Sequence, residues 1–251
     1  MKILRTGAPL LLLIVALSTM AQSPRELRVL SEQGSDKLPL VQALRVIGLH
    51  LRGGFVSFGV DVSGETEPEV DINMPDTDLA DALRRVVSQI PGYTSEFISQ
   101  HVVEIYPAKE RADPDDPLNL PARGFSVSDV TATAILSSPP AYIPELEGYL
   151  AAQQRAGDRG STQAGCGHFT SLLGSDALGI SVSLSGRTVR QILDAVAEAD
   201  ASLPASPSPP SFRLYPVGWV HKRRLDPKLG VVHIWSAVSF APHDWRIYAP
   251  K

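Results

Sequence analysis

The stretch Val70-Asp-Ile-Asn-Met-Pro-Asp-Thr-Asp-Leu-Ala-Asp-Ala-Leu83 hands one periodicity over to another. Val70, Ile72 and Met74 alternate with polar residues, as a strand with one buried face requires. Leu79, Ala82, Leu83, Val86, Val87 and Ile90 then trace an apolar stripe at helical spacing, which Pro91-Gly92 ends. Asp76 or Thr77 can accept a hydrogen bond from the first turn. Asp78 and Asp81 near the start and Arg84 and Arg85 further on follow the order that the helix dipole favours.

The same alternation and stripe recur on both sides of this stretch. Leu27–Leu30 reads as a short strand, and Asp36 caps a helix that Pro39 opens. That helix carries Leu40, Val41, Leu44, Ile47, Gly48 and Leu51 and stops at Gly53-Gly54. Val56, Phe58, Val60 and Val62 alternate as a strand, and Tyr93–Ser99 and His101–Tyr106 form a strand pair. The order is βαββαββ over residues 25–108, a small open α+β sandwich.

Two breaks divide the chain. Residues 109–117, with their charges and two prolines, read as an exposed linker, and 201–211 (ASLPASPSPPS) as a Pro/Ser loop inside a second unit over 118–251. The second unit echoes the first. A single shift lays Val70, Ile72 and Met74 on Ile180, Val182 and Leu184, and the 79–87 stripe on Val189, Ile192, Leu193, Val196 and Ala197. Tyr93-Thr94 then matches Trp219-Val220, and Val102–Ile105 matches Val231–Ile234, across a lengthened hairpin near Asp226-Pro227. A degenerate duplication is the expectation: two βαββαβ-type sandwiches in tandem. Phe125–Val130 and Tyr142–Ala152, with Pro144 in its opening turn, supply the second unit's first strand and helix. Gly157–Gly167 is a Gly-rich excursion before Phe169–Leu173.

The Val70–Leu83 stretch, followed by Tyr93 and by Val102-Val-Glu-Ile105, resembles the short N-terminal domain of secretins and TonB-dependent proteins. The resemblance covers about residues 25 to 107, and the second unit only through its helix and flanking strands. It implies a non-catalytic protein-interaction or docking module of the bacterial envelope, and it supplies no catalytic residues. Residues 118–251 read as neither barrel nor secretin channel, so the expectation is docking, not transport.

The N-terminus gives an address. Lys2 and Arg5 precede the apolar run Leu10–Leu17, and Thr19-Met-Ala21 offers small residues for cleavage after Ala21. A secretory signal peptide over 1–21 and a periplasmic or secreted mature chain are expected, with an uncleaved anchor as the alternative. No later run is long enough to span a bilayer, so no stable membrane insertion is expected after cleavage.

The 251 residues are 43% hydrophobic, enough for a packed core, and the net charge of −4 gives no footprint for nucleic acid. One cysteine excludes a disulfide framework.

Candidate chemistry is sparse. Cys166-Gly-His168 is the one Cys/His proximity, and a thiol enzyme or hydrolase built on it is the competing reading; an i, i+2 pair can point to opposite sides of an extended chain. The histidines at 50, 101, 168, 221, 233 and 243 show no metal-ligand spacing, although His221 and His233 can face each other across the late hairpin. His221-Lys-Arg-Arg224 reads as a solvated hairpin end. Asp113–Asp116 lacks the ligand spacing and Gly hinge of a calcium loop. Trp219, Trp235 and Trp245 lie close together in sequence and offer a carbohydrate-binding floor as a third reading, with core packing as the simpler account. No catalytic, metal or cofactor site is expected. The leading expectation is a non-catalytic adaptor that binds an envelope protein along a strand edge, with self-association through the same edges as an option.

Overall fold

The computed structural model describes residues 37–50, 56–64, 66–72, 78–155, 178–203, 216–227 and 230–239. The signal segment, the Leu27–Leu30 strand, Asp36, Gly53-Gly54, the Gly-rich excursion with Cys166 and His168, residues 204–211 of the Pro/Ser loop, and Trp245 lie outside them. The first elements are β1 (Lys37–Pro39), α1 (Leu40–His50), β2 (Ser57–Ser63), β3 (Glu69–Asp71), α2 (Leu79–Ser88), β4 (Tyr93–Phe97) and β5 (Val102–Pro107). A short helix α3 (Ala108–Arg111) and a 3-10 turn (Pro117–Asn119) lead into β6 (Pro121–Val130) and α4 (Ala132–Ser137). After a second 3-10 turn (Pro139–Ala141) come α5 (Pro144–Arg155), β7 (Ile180–Thr188), α6 (Val189–Ala201), β8 (Val217–Asp226) and β9 (Gly230–Ser239). The class is α+β, as the periodicities predict.

The tandem arrangement is corrected. One five-stranded sheet runs β4-β5-β2-β8-β9 and draws strands from both sides of residues 109–117. β2 pairs parallel with β5 and with β8, setting Gly59 against Trp219 and Asp61 against His221. The outer strands β4 and β9 are antiparallel to their neighbours. Two antiparallel ribbons, β1-β3 and β6-β7, hold the other strands among the described residues. The internal echo persists within this joined sheet, since β3-α2-β4-β5 and β7-α6-β8-β9 are the same succession.

Sharing the sheet explains why β2 is buried on both faces. Phe58, Val60 and Val62 meet α1 and α2, together with Val103 and Ile105 of β5 and Val220 of β8. The opposite face packs Val102, Val217, Trp219 and Trp235 against α4, α5 and α6. Gly59 points to that second face, where a Cβ would stand 2.6 Å from the Trp219 indole. Only glycine lets the ring lie flat against the neighbouring strand.

Local chemistry sets the helix ends. Asp78, not Asp76 or Thr77, caps α2: its side chain takes the Asp81 N–H at 2.8 Å. Thr188 and Gln191 form a reciprocal capping box on α6. Gly92 at φ +80° turns the chain from α2 into β4. Pro39 closes β1 and α1 begins one residue later, a small shift from the expected start. Helix α4, capped by Thr131, had no clear stripe in the sequence because it is only six residues long.

The exposed-linker expectation also fails. Residues 108–119 fold back onto the sheet, with Asp116, Pro117 and Leu118 buried. Asn119 Nδ2 donates to the carbonyls of Glu110, Arg111 and Asp113, locking the segment into a compact turn. Its prolines and charges mark tight turns and ion pairs with the rest of the fold. Among the described residues no helix is long and apolar enough to cross a membrane.

Candidate functional site

The sheet face beneath α6 is not uniformly apolar. Period-two alternation brings Asp61 of β2, Glu104 of β5, Trp219 and His221 of β8, and His233 and Trp235 of β9 to that side. The first turns of α6 lower Arg190 and Asp194 onto them, and all eight side chains are buried.

The groups form a connected chain. His221 Nδ1 lies 2.9 Å from Asp61 Oδ1, and His221 Nε2 lies 3.0 Å from His233 Nδ1. The two imidazoles are nearly parallel, with Trp235 stacked against His221 at 4.3 Å between centroids. Arg190 Nη2 donates to Asp61 Oδ2 at 3.3 Å, and Nη1 stands 3.9 Å from Glu104 Oε1. Arg111 from α3 donates to Glu104 and lies over the Tyr106 ring. Trp219 Nε1 donates to Asp194 Oδ1 at 3.1 Å. Buried charges in this number persist only when paired in this way.

Burial and neighbouring charges compete at each titratable group. Burial raises the Asp61 carboxyl, but the hydrogen bond and charge of His221 and the charge of Arg190 outweigh it and hold the pKa below the ordinary value. His233 is pushed down to about 3 by burial, reinforced by His221 and Arg223. Asp194 is driven well above the usual carboxylate range by burial and by the charge and hydrogen bond of Glu104. The raised value favours the neutral form of Asp194, which can donate to Glu104 while Oδ1 accepts from Trp219.

An amide reproduces both bonds, with NH2 toward Glu104 and C=O toward Trp219. Asp194→Asn should accordingly match or exceed wild-type stability at pH 8, whereas Asp194→Ala should lose about 1–3 kcal/mol by orphaning both partners. Urea midpoints at pH 8 check this, and a loss in Asp194→Asn as large as in Asp194→Ala would refute the shared proton.

Several polar atoms at this face are buried without a hydrogen-bond partner among the described residues: Arg190 Nε and Nη1, His233 Nε2 and Trp235 Nε1. Below the ends of the network, Arg223 pairs with Glu110 and Lys222 with Glu67. The His221–Arg224 run is thus not a solvated hairpin end: His221 is core and its three cations are each paired, Arg224 with Asp226. Burial raises Asp116, the Asp61 charge adds to this, and the Leu118 N–H opposes it.

Of the residues singled out by sequence, His221 and His233 do meet across the β8-β9 hairpin. Trp219 and Trp235 are core residues, so they do not floor an open groove. Cys166, His168 and Trp245 lie outside the described residues. Asp61, Glu104, Arg190 and Asp194 carried no motif. The one signal was a charged residue inside an otherwise apolar strand, as in Val60-Asp-Val62 and Val103-Glu-Ile105. Compared with family models, curated proteins and solved structures, the chain finds no match in any of the three.

Proposed function

We propose that the protein is an exported, non-catalytic docking module of the bacterial envelope, periplasmic or secreted, that engages a partner protein along a strand edge. What carries this reading is the placement of polar and apolar side chains. The side chains of the polar network are buried beneath α6 among the described residues, while large apolar side chains are exposed at strand ends. Phe97 and Ile98 end the edge strand β4, and Leu225 and Val231 face each other across the end of the β8-β9 hairpin. Exposed apolar residues beside an unpaired edge favour strand addition, in which main-chain bonds give affinity and side chains give choice. The βαββαββ order of residues 37–107 supports kinship with the secretin and TonB short N-terminal domain as a proposal.

The reading is tested by affinity capture from envelope extract with tagged wild type, Phe97→Asp and Cys166→Ala. Phe97 is half exposed, so the substitution should leave the fold intact and reduce capture of the wild-type partner by about tenfold or more. Cys166→Ala should capture as wild type does. Undiminished capture by Phe97→Asp removes the β4 edge, and a partner lost only with Cys166→Ala favours a thiol enzyme.

A further inference from the structure

Three carboxylates distant in sequence converge beside the buried network. Asp61 comes from β2, Glu110 from α3, and Asp116 from the N-cap of the first 3-10 turn, and one oxygen from each lies within 4.8 Å of the others. Converging acids do not by themselves make a cation site. Asp116 adds a second observation: it is fully buried, its Oδ1 takes the Leu118 N–H at 2.8 Å, and its Oδ2 has no hydrogen-bond partner among the described residues. Glu110 Oε2 is likewise buried without a partner, although Oε1 holds Arg223. Orphaned carboxylate oxygens taken out of water are costly unless something positive meets them.

Topology places the cluster where ligands gather. β5, β2 and β8 are parallel, so their carboxyl ends share one edge of the sheet. The chain leaves β2 by way of α2, which covers one face, and leaves β5 by way of α6, which covers the other. Adjacent parallel strands whose connections depart to opposite faces open a crevice beyond their carboxyl ends, the common ligand position in such sheets. Asp61 lies near the end of β2, and Glu110 and Asp116 lie on the segment that leaves β5.

We propose that Asp61, Glu110 and Asp116 bind one divalent, oxygen-preferring cation of the Ca2+, Mg2+ and Mn2+ class. The donor set is all carboxylate, which suits hard cations and not zinc or copper. Three carboxylates leave room for water ligands, as such cations require. Arg190 and His221 occupy Asp61 from one side each, and a carboxylate oxygen has a second lone pair to offer. The cation pins the 108–119 segment onto the sheet, a structural role independent of the docking reading. Because its ligands come from three separate elements, no calcium-loop spacing announces it in the sequence.

The test is titration of the chelator-treated full chain with Mn2+, read by loss of the free-ion EPR signal. One Mn2+ per chain is expected, displaced by Ca2+ or Mg2+, with a rise of several degrees in melting temperature at saturation. Asp116→Asn keeps the cap acceptor for Leu118 yet should weaken Mn2+ binding about tenfold or more, and Glu110→Gln likewise. Glu147→Gln, on the exposed side of α5, should bind as wild type. Far-UV circular dichroism establishes that each variant is folded, and if one carboxylate variant fails to fold the other decides. No stoichiometric Mn2+ uptake by wild type at millimolar ion overturns the site. So does uptake undiminished in the folded carboxylate variants, or a metal-free Asp116→Asn more stable than wild type without any Mn2+ uptake in wild type, which would assign the cluster to a shared proton.

Discussion

Arg190→Met should destabilise the protein by about 3–5 kcal/mol, the range for removing one member of a buried charge cluster. Arg190 is buried and is the cation that faces both Asp61 and Glu104 from α6. Methionine fills much of the same volume, so the loss is electrostatic more than a cavity effect. Asp61 would keep His221, and Glu104 would keep Arg111, but each loses a counter-charge while buried. Because the cost comes from stranded charge, neutralising a partner should recover part of it. Arg190→Met with Asp61→Asn should be more stable than Arg190→Met alone, a positive coupling in a double-mutant cycle. Denaturant midpoints at pH 7 decide the matter. An Arg190→Met variant within about 0.5 kcal/mol of wild type, a bound set by ordinary surface substitutions, would mean that the guanidinium is not a structural counter-ion.

The location of that charge also shows where sequence reading stops. The stripes of α2 and α6 and the alternation of Phe58, Val60 and Val62 were legible because apolar periodicity reports a buried face. Ser57, Gly59 and Asp61 on the other face of β2 looked like a solvent-facing set, since small and polar residues alternate there. They are buried because α6 covers them, and α6 lies more than a hundred residues away in sequence. Arg190 and Asp194 fall between the stripe residues Val189, Ile192, Leu193 and Val196, so each reads as the wet side of an amphipathic helix. Their partners are fixed by strand order, and periodicity within a half does not contain strand order. The same gap produced the tandem expectation: each half has the right elements, but the pairing of β2 with β8 is a long-range choice. Residues 109–117 failed for a different reason. Pro and Asp punctuate turns whether those turns are exposed or folded against a core, and only the Asp116 and Asn119 bonding shows which.

The buried histidine predicts how stability depends on acid, and the sign is set by where its proton sits. His233 remains neutral in the fold until about pH 3, whereas in the unfolded chain it titrates near 6.5. Between those values the unfolded chain binds a proton that the fold refuses, so this histidine lowers stability by about 1.4 kcal/mol for each unit of falling pH, about 4–5 kcal/mol across the window. Asp194 acts in the opposite sense. Its folded pKa is raised, so its contribution is full below the ordinary carboxylate value and is lost as pH rises through the raised one. Above about pH 4, and for as long as Asp194 keeps its proton, the two slopes oppose each other, so wild type should show a shallower profile there than either single variant. Removing one should expose the other. His233→Asn keeps a side-chain amide to face His221 Nε2 but does not titrate, and relative to wild type its stability should improve by about 1.4 kcal/mol per unit as pH falls from 6.5. Asp194→Asn should steepen the acid loss instead. Urea midpoints taken at half-unit intervals from about pH 4 to 7 separate the two, and parallel profiles for wild type and His233→Asn would show that His233 takes up its proton in the fold as freely as in the unfolded chain.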